Sequence, residues 1–247
     1  MDFTFGIVTN SMNDNNVKII IESINKNNIP NFEIIIVGNT TIKSSEKITV
    51  FYFKETIKPG WITKKKNIIA KNAKYENIVF LHDYIKLDDN WYNGFLKFGN
   101  EFNWCVNKIV NSDGSRFRDY TLFPYKVDEL GINYSPGDID SYFNENCLLP
   151  YDFVNSIKTN KYMYISGSYY VIKREIALNH LLNENLVWGQ GEDVEFSKRL
   201  HANGVIIECN QFSSVQFLKY KGNAPWEIEI SNEKLQKFID YCNDSFN

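Results

Sequence analysis

Ile34-Ile35-Ile36-Val37, followed at once by Gly38-Asn39-Thr40-Thr41, decides how this chain is organised. Four apolar residues in a row leave no polar face, the mark of a strand buried on both sides. The glycine and asparagine then break it. Working outward, the same punctuation recurs. Phe3 to Thr9 is short and apolar and ends at Asn10-Ser11; Ile48 to Phe53 and Ile78 to Leu81 are further strands, the last running into His82-Asp83-Tyr84. Helical patterns lie between them. Asp14 is placed to cap a helix reaching about Asn27, with Val17, Ile20, Ile21 and Ile24 on one face and Pro30 as the stop. Trp61 to Ala73 reads as a second helix, with Ile62, Ile69 and Ala73 inward and Lys64, Lys65 and Lys71 outward. Strands alternating with helices predict an α/β fold with a mostly parallel, doubly wound sheet. Ligands of such sheets settle beyond the carboxyl ends of the strands. Thr9-Asn10, Gly38-Asn39 and His82-Asp83 are therefore expected to border one cleft.

The second half changes character. Asn90 to Phe98 reads as a helix, and Asp88-Asp89 as its cap. Trp104 to Val110 and Phe117 to Thr121 read as a hairpin around Asn111-Ser112-Asp113-Gly114. Residues 124–160 are irregular and rich in Tyr, Asp and Pro, the composition of a binding loop or lid. Tyr162 to Ile172 is a strand pattern interrupted by Ser166-Gly167-Ser168, and Arg174 to Leu182 a helix. Glu192 to Asn203 is another helix, stopped by Gly204. Val205 to Cys209 and Val215 to Leu218 read as short strands, and Glu233 to Tyr241 as a surface helix. There is no repeat and no linker, so a single domain is expected over 1–247, with one half at 1–100, a second at 101–220 and a tail at 221–247.

Composition narrows the function classes. The chain has 247 residues, 27 Lys plus Arg against 30 Asp plus Glu, and a formal charge of -3, so bulk charge does not suit it to nucleic acid. Cys105, Cys147, Cys209 and Cys242 form no Cys-x-x-Cys pair, which removes zinc-ribbon and thioredoxin-like readings. No apolar run approaches the ~20 residues of a membrane span. Met1 to Gly6 lacks the basic-then-apolar pattern of a signal peptide, and a cytoplasmic location is expected. Neither a Gly-x-Gly-x-x-Gly fingerprint nor a Gly-Lys-Ser/Thr phosphate loop is present.

The sharpest motif is Trp188-Gly189-Gln190-Gly191-Glu192-Asp193-Val194-Glu195. A glycine-flanked turn feeds a helix whose first turn holds three acids, where the helix dipole favours carboxylate anions. An anion held at a cleft edge is what a general base requires. Glu195 instead fits an ordinary i, i+4 pair with Arg199.

On this motif the chain resembles glycosyltransferases of the GT-A fold, close to glycosyltransferase family 2 and to galactosyltransferases with a Trp-Gly-x-Gly-Glu-Asp segment. The resemblance implies a Rossmann-like fold with a mixed, mostly parallel central sheet flanked by helices. It implies a hexosyltransferase moving a sugar from a nucleotide-sugar (UDP- or GDP-sugar) to a glycan or other hydroxyl acceptor with inversion. Asp193 is then the general base and Glu192 its acceptor-binding partner, with the roles open to exchange, and Trp188 and Gly191 line the acceptor. Phe80-Leu81-His82-Asp83-Tyr84 stands where the family ends a strand in Asp-x-Asp to hold Mn2+ or Mg2+ against the diphosphate. Here only Asp83 is a carboxylate, with His82 as the other candidate ligand. Lys66-Asn67 is similar to a donor-side helix motif, with Lys66 toward a phosphate and Asn67 toward the ribose or base. Thr9, Asn10 and Asn39 take the remaining donor positions, and Gly167 permits close approach of a ligand. The family's late metal-binding His is absent from Ser213-Ser214-Val215-Gln216-Phe217. Asp113 to Asp119 offers two cations, Arg116 and Arg118, for a phosphate or for a salt-bridged turn. A non-catalytic glycan- or nucleotide-sugar-binding protein is the alternative reading. A nucleotidyltransferase lacks its Gly-rich loop, since Thr9 to Asn13 does not supply one.

Overall fold

The computed structural model describes residues 1–10, 14–56, 58–122, 125–128, 131–136, 147–222 and 228–244, with the side chains of 125–136 outside the description. The expected strand exit at 11–13 and the 137–146 part of the irregular segment lie outside the described residues.

The four apolar runs form the expected strands: β1 (Phe3–Val8), β2 (Phe32–Gly38), β3 (Ile48–Tyr52) and β4 (Asn77–His82). β1 pairs parallel with both β2 and β4, and β2 parallel with β3. Every residue of β1 and β4 is buried, as a central parallel strand requires. The helices α1 (Asp14–Lys26) and α2 (Ile62–Asn72) are the crossovers. α1 buries Val17, Ile20 and Ile24. α2 packs so tightly on β1 that a Cβ at Gly6 would lie 2.4 Å from Ile69 Cγ2.

Beyond β4 the sheet becomes mixed. The described order is β3-β2-β1-β4, then β12 (Tyr169–Lys173), β6 (Trp104–Val110), β13 (Ile207–Phe217) and β5 (Ile85–Leu87). β12 is antiparallel to β4 and β6, and β6 is parallel to β13. β1, β4, β6 and β13 therefore point the same way. Helix α3 (Trp91–Phe98) closes one face with an aromatic cluster of Phe3, Phe5, Trp91 and Phe95. The Trp91 indole donates to Tyr169 Oη at 2.8 Å, and Tyr169 donates to Asn107 Oδ1 at 2.6 Å, so the polar tips inside this cluster are satisfied.

A smaller sheet orders β11 (Met163–Ile165), β7 (Tyr120–Leu122), β10 (Cys147–Leu148) and β14 (Ile228–Glu229). The strands β8 (Tyr125–Asp128) and β9 (Gly131–Pro136) pair antiparallel and lie against α6 (Glu192–Ala202). The remaining helices are α4 (Ile157–Asn160), α5 (Arg174–Asn179) and α7 (Asn232–Asp244).

Five local expectations need correction. Trp104–Val110 and Phe117–Thr121 do not form a hairpin ladder. One bridge, Val110 to Arg116, follows the turn, and β7 then joins the smaller sheet. The buried Asp119 carboxylate accepts the N–H groups of Ile109 and Tyr120, the Tyr151 hydroxyl and the Arg116 guanidinium, which redirects the chain. Val205–Cys209 and Val215–Leu218 are one bulged strand, β13. Tyr162–Ile172 is two strands in different sheets, with Ser166-Gly167-Ser168 as the crossing point. The tail helix α7 is not purely a surface helix, because it buries Phe238 and Cys242, the former against Tyr162. Asp88 and Asp89 do not cap α3 through their side chains. Asn90 holds the cap position, and Asp88 instead accepts the Ser214 hydroxyl.

Candidate active site

The strand exits of β1, β2 and β4 meet at one edge. Thr9 is buried there and its hydroxyl donates to Asp83 Oδ2 at 2.7 Å. Asn10 and Asn39 are exposed, and with Tyr52 to Thr56 they line a cavity of about 270 Å³. Asp14, at the start of α1, accepts the hydroxyls of Thr40 and Thr41, and these bonds hold its carboxyl below the usual range. The α1 N-terminus is thereby fixed beside this cavity. A larger cavity, about 440 Å³, lies where β6 and β13 begin, lined by Asn103, Tyr151 and Glu208. That is the opposite end of the sheet from the β1, β2 and β4 exits.

The lysines of α2 do not behave as its pattern suggests. Lys65, expected outward, is 2% exposed, pairs with Glu55 and donates to the Thr9 carbonyl at 2.6 Å. Its Cα lies on the helix face shared by Ile62 and Ile69, three residues from one and four from the other. Lys66 is fully buried and donates to the Gly167 carbonyl. Burial brings Lys66 down to about 8, while Glu192 and Asp193 favour its cation. Asn67 is also buried, and its amide is engaged by Leu182 and Glu184, so it clamps the 182–184 loop to α2 rather than opening toward a ribose.

The acid motif sits beside this bridge. Gly191, at φ 72° in the left-handed region, caps α6 and turns the chain so that Glu192 faces inward. Glu192 is 6% exposed. Burial pushes its carboxyl up to about 7, the Asp193 charge adds to this, and Lys66 opposes it. Asp193 is half-buried. Its Oδ2 accepts the Gly167 N–H at 2.8 Å and its Oδ1 the Val194 N–H at 2.9 Å. A carboxylate offers about four acceptor sites, so Asp193 retains capacity for an incoming hydroxyl. A Cβ on Gly167 would stand 3.0 Å from Asp193 Cβ and 3.3 Å from a carboxylate oxygen of both acids, so any larger residue here must push the acid pair aside by a few tenths of an ångström. Glu195 takes the expected pair with Arg199, 2.6 Å.

The acid helix and the strand exit share one place. His82 N–H donates to the Ser168 carbonyl at 3.0 Å, one residue beyond Gly167. The half-buried Tyr84 phenol is pushed up by burial first, and the charges of Asp83, Arg118, Glu192 and Asp193 also act on it. Trp188 is 65% exposed at the rim, its N–H held by the Gly60 carbonyl at 2.9 Å, and it presents an open aromatic face.

The donor set does not suit a divalent cation. Among the described residues, Asp83 is the one carboxylate carried by the His82-Asp83-Tyr84 segment. Its neighbour His82 is buried, with Nδ1 engaged by the Tyr84 hydroxyl at 2.9 Å and Nε2 without a partner. Among the described residues no group of three His, Cys, Asp or Glu converges on one point. Burial first, then the charges of Lys66, Lys221 and Lys65, hold the His82 ring well below its usual pKa. The described residues thus bring one carboxylate and one imidazole, Asp83 and His82, to the expected Mn2+ or Mg2+ position, short of a complete cation site.

This frame matches solved structures at low sequence identity. S. aureus TarS, residues 1–349, is 14% identical with a TM-score of 0.52, covering 98% of this chain and 64% of that one. Its complex with UDP-GlcNAc gives 16% and 0.52, covering 98% and 65%. GalNAc-T7 with UDP, GalNAc and Mn2+ gives 14% and 0.59, covering 92% and 45%. The fold is GT-A. The chain thus spans between 45% and 65% of these structures' own length. No protein-family model matches it, and neither does any curated protein. No described helix is long and apolar enough to cross a membrane.

Sequence reasoning missed the burial of Lys65, its partner Glu55 and the contact of Tyr84 with His82. The helical spacing of Lys65 and Lys66 between Ile62 and Ile69 was a signal for the first. The others follow from how loops and strands meet in the fold.

Proposed function

We propose that this protein transfers a hexose from a nucleoside-diphosphate sugar, a UDP-sugar in the first instance, to a hydroxyl acceptor with inversion. The observation that carries this reading is the placement of the Glu192–Asp193 pair beside the Asp83 strand exit, joined through Gly167 and Ser168. The neighbours solved with UDP and UDP-GlcNAc support the choice of donor.

In this reading the nucleoside lies along Thr9, Asn10 and Asn39, at the cavity between the β1, β2 and β3 exits. The acceptor ring stacks on Trp188. Its hydroxyl oxygen attacks the anomeric carbon as the bond to the diphosphate breaks, and the proton passes to Asp193. Base catalysis of this kind contributes ~100- to 10,000-fold. Glu192, held near neutrality, accepts or donates a hydrogen bond to the acceptor. Lys66 and the Gly167 N–H keep both acids in register, so little reorganisation accompanies the reaction. The β8–β9 hairpin along α6 is placed to shape acceptor choice.

A thermal-shift series with UDP, GDP, UDP-GlcNAc and UDP-galactose, each with chelator and with Mn2+, tests the donor. A ligand at 100 times its Kd adds about 2.7 kcal/mol of stability. A rise in Tm confined to the matching nucleotide supports the reading, and no rise with any nucleotide contradicts it. The poor cation donor set favours a second reading, nucleotide-sugar binding without turnover, and absence of any glycosylated or hydrolysed product from a bound donor would select it.

A further inference from the structure

The cavity at the far end of the sheet measures about 440 Å³, within the ~300–1,000 Å³ typical of ligand pockets. β13 runs from Glu208 at this cavity to Phe217 beside Tyr84, a span of roughly 30 Å at ~3.3 Å per residue. The cavity wall is held in place. The buried Asp119 carboxylate accepts the Tyr151 hydroxyl at 2.7 Å, and the Tyr120 hydroxyl donates to the Phe153 carbonyl at 3.2 Å. The Asn155 amide donates to the Ile207 carbonyl at 3.0 Å and to Asn160 Oδ1 at 2.8 Å, which pins the 151–155 loop to the start of β13. The cavity is therefore formed before any ligand arrives.

The lining combines rings, amides and carboxyls. Phe98 and Phe153 are half-buried, so part of each ring stays open to the cavity. Asn103, Gln211, Asp152 and Glu208 bring hydrogen-bonding groups to the same space. Burial raises the half-buried Glu208 carboxyl, with the Asn103 N–H opposing the shift, so this group gains from a hydroxyl donor that replaces its lost water. Charge of both signs is present around the wall. Arg116 Cζ and Lys108 Nζ lie 4.0 and 5.0 Å from the centre of the Tyr151 ring, while Asp152 and Glu208 line the cavity itself. An anion would meet the carboxyls, and a cation would meet the pair beside Tyr151. A neutral molecule meets neither penalty. A pyranose ring suits this lining, because its C–H face packs on an aromatic ring and its hydroxyls need the donors and acceptors that amides and carboxyls supply.

We propose that this cavity is a second carbohydrate-binding site, with Phe98 and Phe153 as stacking faces and Asp152, Glu208 and Gln211 as hydrogen-bond partners of a neutral saccharide. No step of sugar transfer passes through it. In the nucleotide-sugar reading it gives a long glycan acceptor a second attachment point, remote from Trp188. Linked attachments of this kind raise overall affinity without a new contact at the reacting centre.

The test is saturation-transfer NMR titration of the full chain with maltohexaose, cellohexaose and chitohexaose, three neutral saccharides. The variants are Phe153→Ala, Glu208→Ala and the conservative Glu208→Gln, each also combined with Trp188→Ala to remove the ring proposed for the acceptor. Tm checks that each folds, and if Phe153→Ala does not, the two Glu208 variants decide alone. The expected result is binding of at least one saccharide that survives Trp188→Ala. It should weaken at least ~5-fold in Phe153→Ala and Glu208→Ala and stay within about twofold in Glu208→Gln. UDP affinity should be the same in all the cavity variants. Saccharide binding lost in Trp188→Ala and untouched by the cavity variants overturns the proposal and leaves the transfer reading intact. No binding of any of the three saccharides overturns it as well. Cavity-dependent saccharide binding in a chain that does not bind UDP keeps this site and removes the nucleotide-sugar reading. Choline or inorganic phosphate, binding through Phe153 or Glu208 where no saccharide does, would assign the cavity to a charged ligand and contradict the proposal.

Discussion

The Gly167 N–H donates to Asp193 Oδ2 at 2.8 Å, and this bond joins the turn beside the Asp83 strand exit to the acid helix. In the proposed reading, it fixes where the base stands relative to the donor. It also leaves no room, since a methyl group on Gly167 would meet Asp193 Cβ at 3.0 Å. Gly167→Ala is therefore expected to displace Asp193. Overpacking of this kind costs about 1–3 kcal/mol. Turnover should fall at least tenfold while UDP affinity holds. Steady-state kinetics with calorimetry checks this, and unchanged kcat would separate Gly167 from the positioning of the base.

In the proposed reading, Lys66 and Glu192 make sugar transfer depend on pH. Glu192 titrates at about 7 in the folded chain, so a limb of kcat/KM that rises with pH is expected near neutrality if its anion is required. Lys66 opposes that upward shift, so Lys66→Met should move the limb to higher pH. A limb that stays in place would remove Lys66 from the tuning. The stability sign follows from the same shift. A carboxyl raised from 4.5 to about 7 stabilises the folded state fully below pH 4.5 and loses that contribution as pH climbs through 7. Glu192→Gln should flatten this part of the Tm-against-pH curve.

Much of the frame was legible because continuous apolar runs such as Ile34–Val37 have few other uses. Glu192 and Asp193 were legible because a glycine-flanked helix start concentrates acids locally. Other features were not, because they come from contacts remote in sequence. β12 enters antiparallel between β4 and β6, and no local pattern carries that choice. Gly167 was readable as a point of close approach, and the side chains that come close to it are those of Asp193 and Glu192. Lys65 was misleading and the full burial of Lys66 was not foreseen, since lysine is rarely fully buried unless paired. Their partners, Glu55 and the Gly167 carbonyl, arrive from other elements.

Glu55 joins the loop after β3 to α2 through Lys65 and also accepts the Gly60 N–H at 2.9 Å. Glu55→Ala leaves a buried ammonium with only the Thr9 carbonyl. The expected loss of stability is about 1–3 kcal/mol, read by urea denaturation, together with weaker UDP binding because Thr9 is held by the same lysine. Wild-type stability in this variant would show that the pair contributes nothing.

Trp188 is mostly exposed, so Trp188→Ala should leave Tm nearly unchanged. Loss of a stacking face should raise the acceptor KM roughly tenfold with little change for the donor. A change in donor KM alone would place Trp188 on the wrong substrate.

The central claim is that Asp193 takes the proton from the acceptor hydroxyl beside a bound nucleotide-sugar. Asp193→Asn keeps the shape and an acceptor oxygen but not the basicity, so paired measurement of sugar-transfer turnover and of UDP affinity tests it most directly. A loss of at least ~100-fold in kcat with UDP affinity within about twofold of wild type is the expected result. Turnover that survives the substitution would contradict the account.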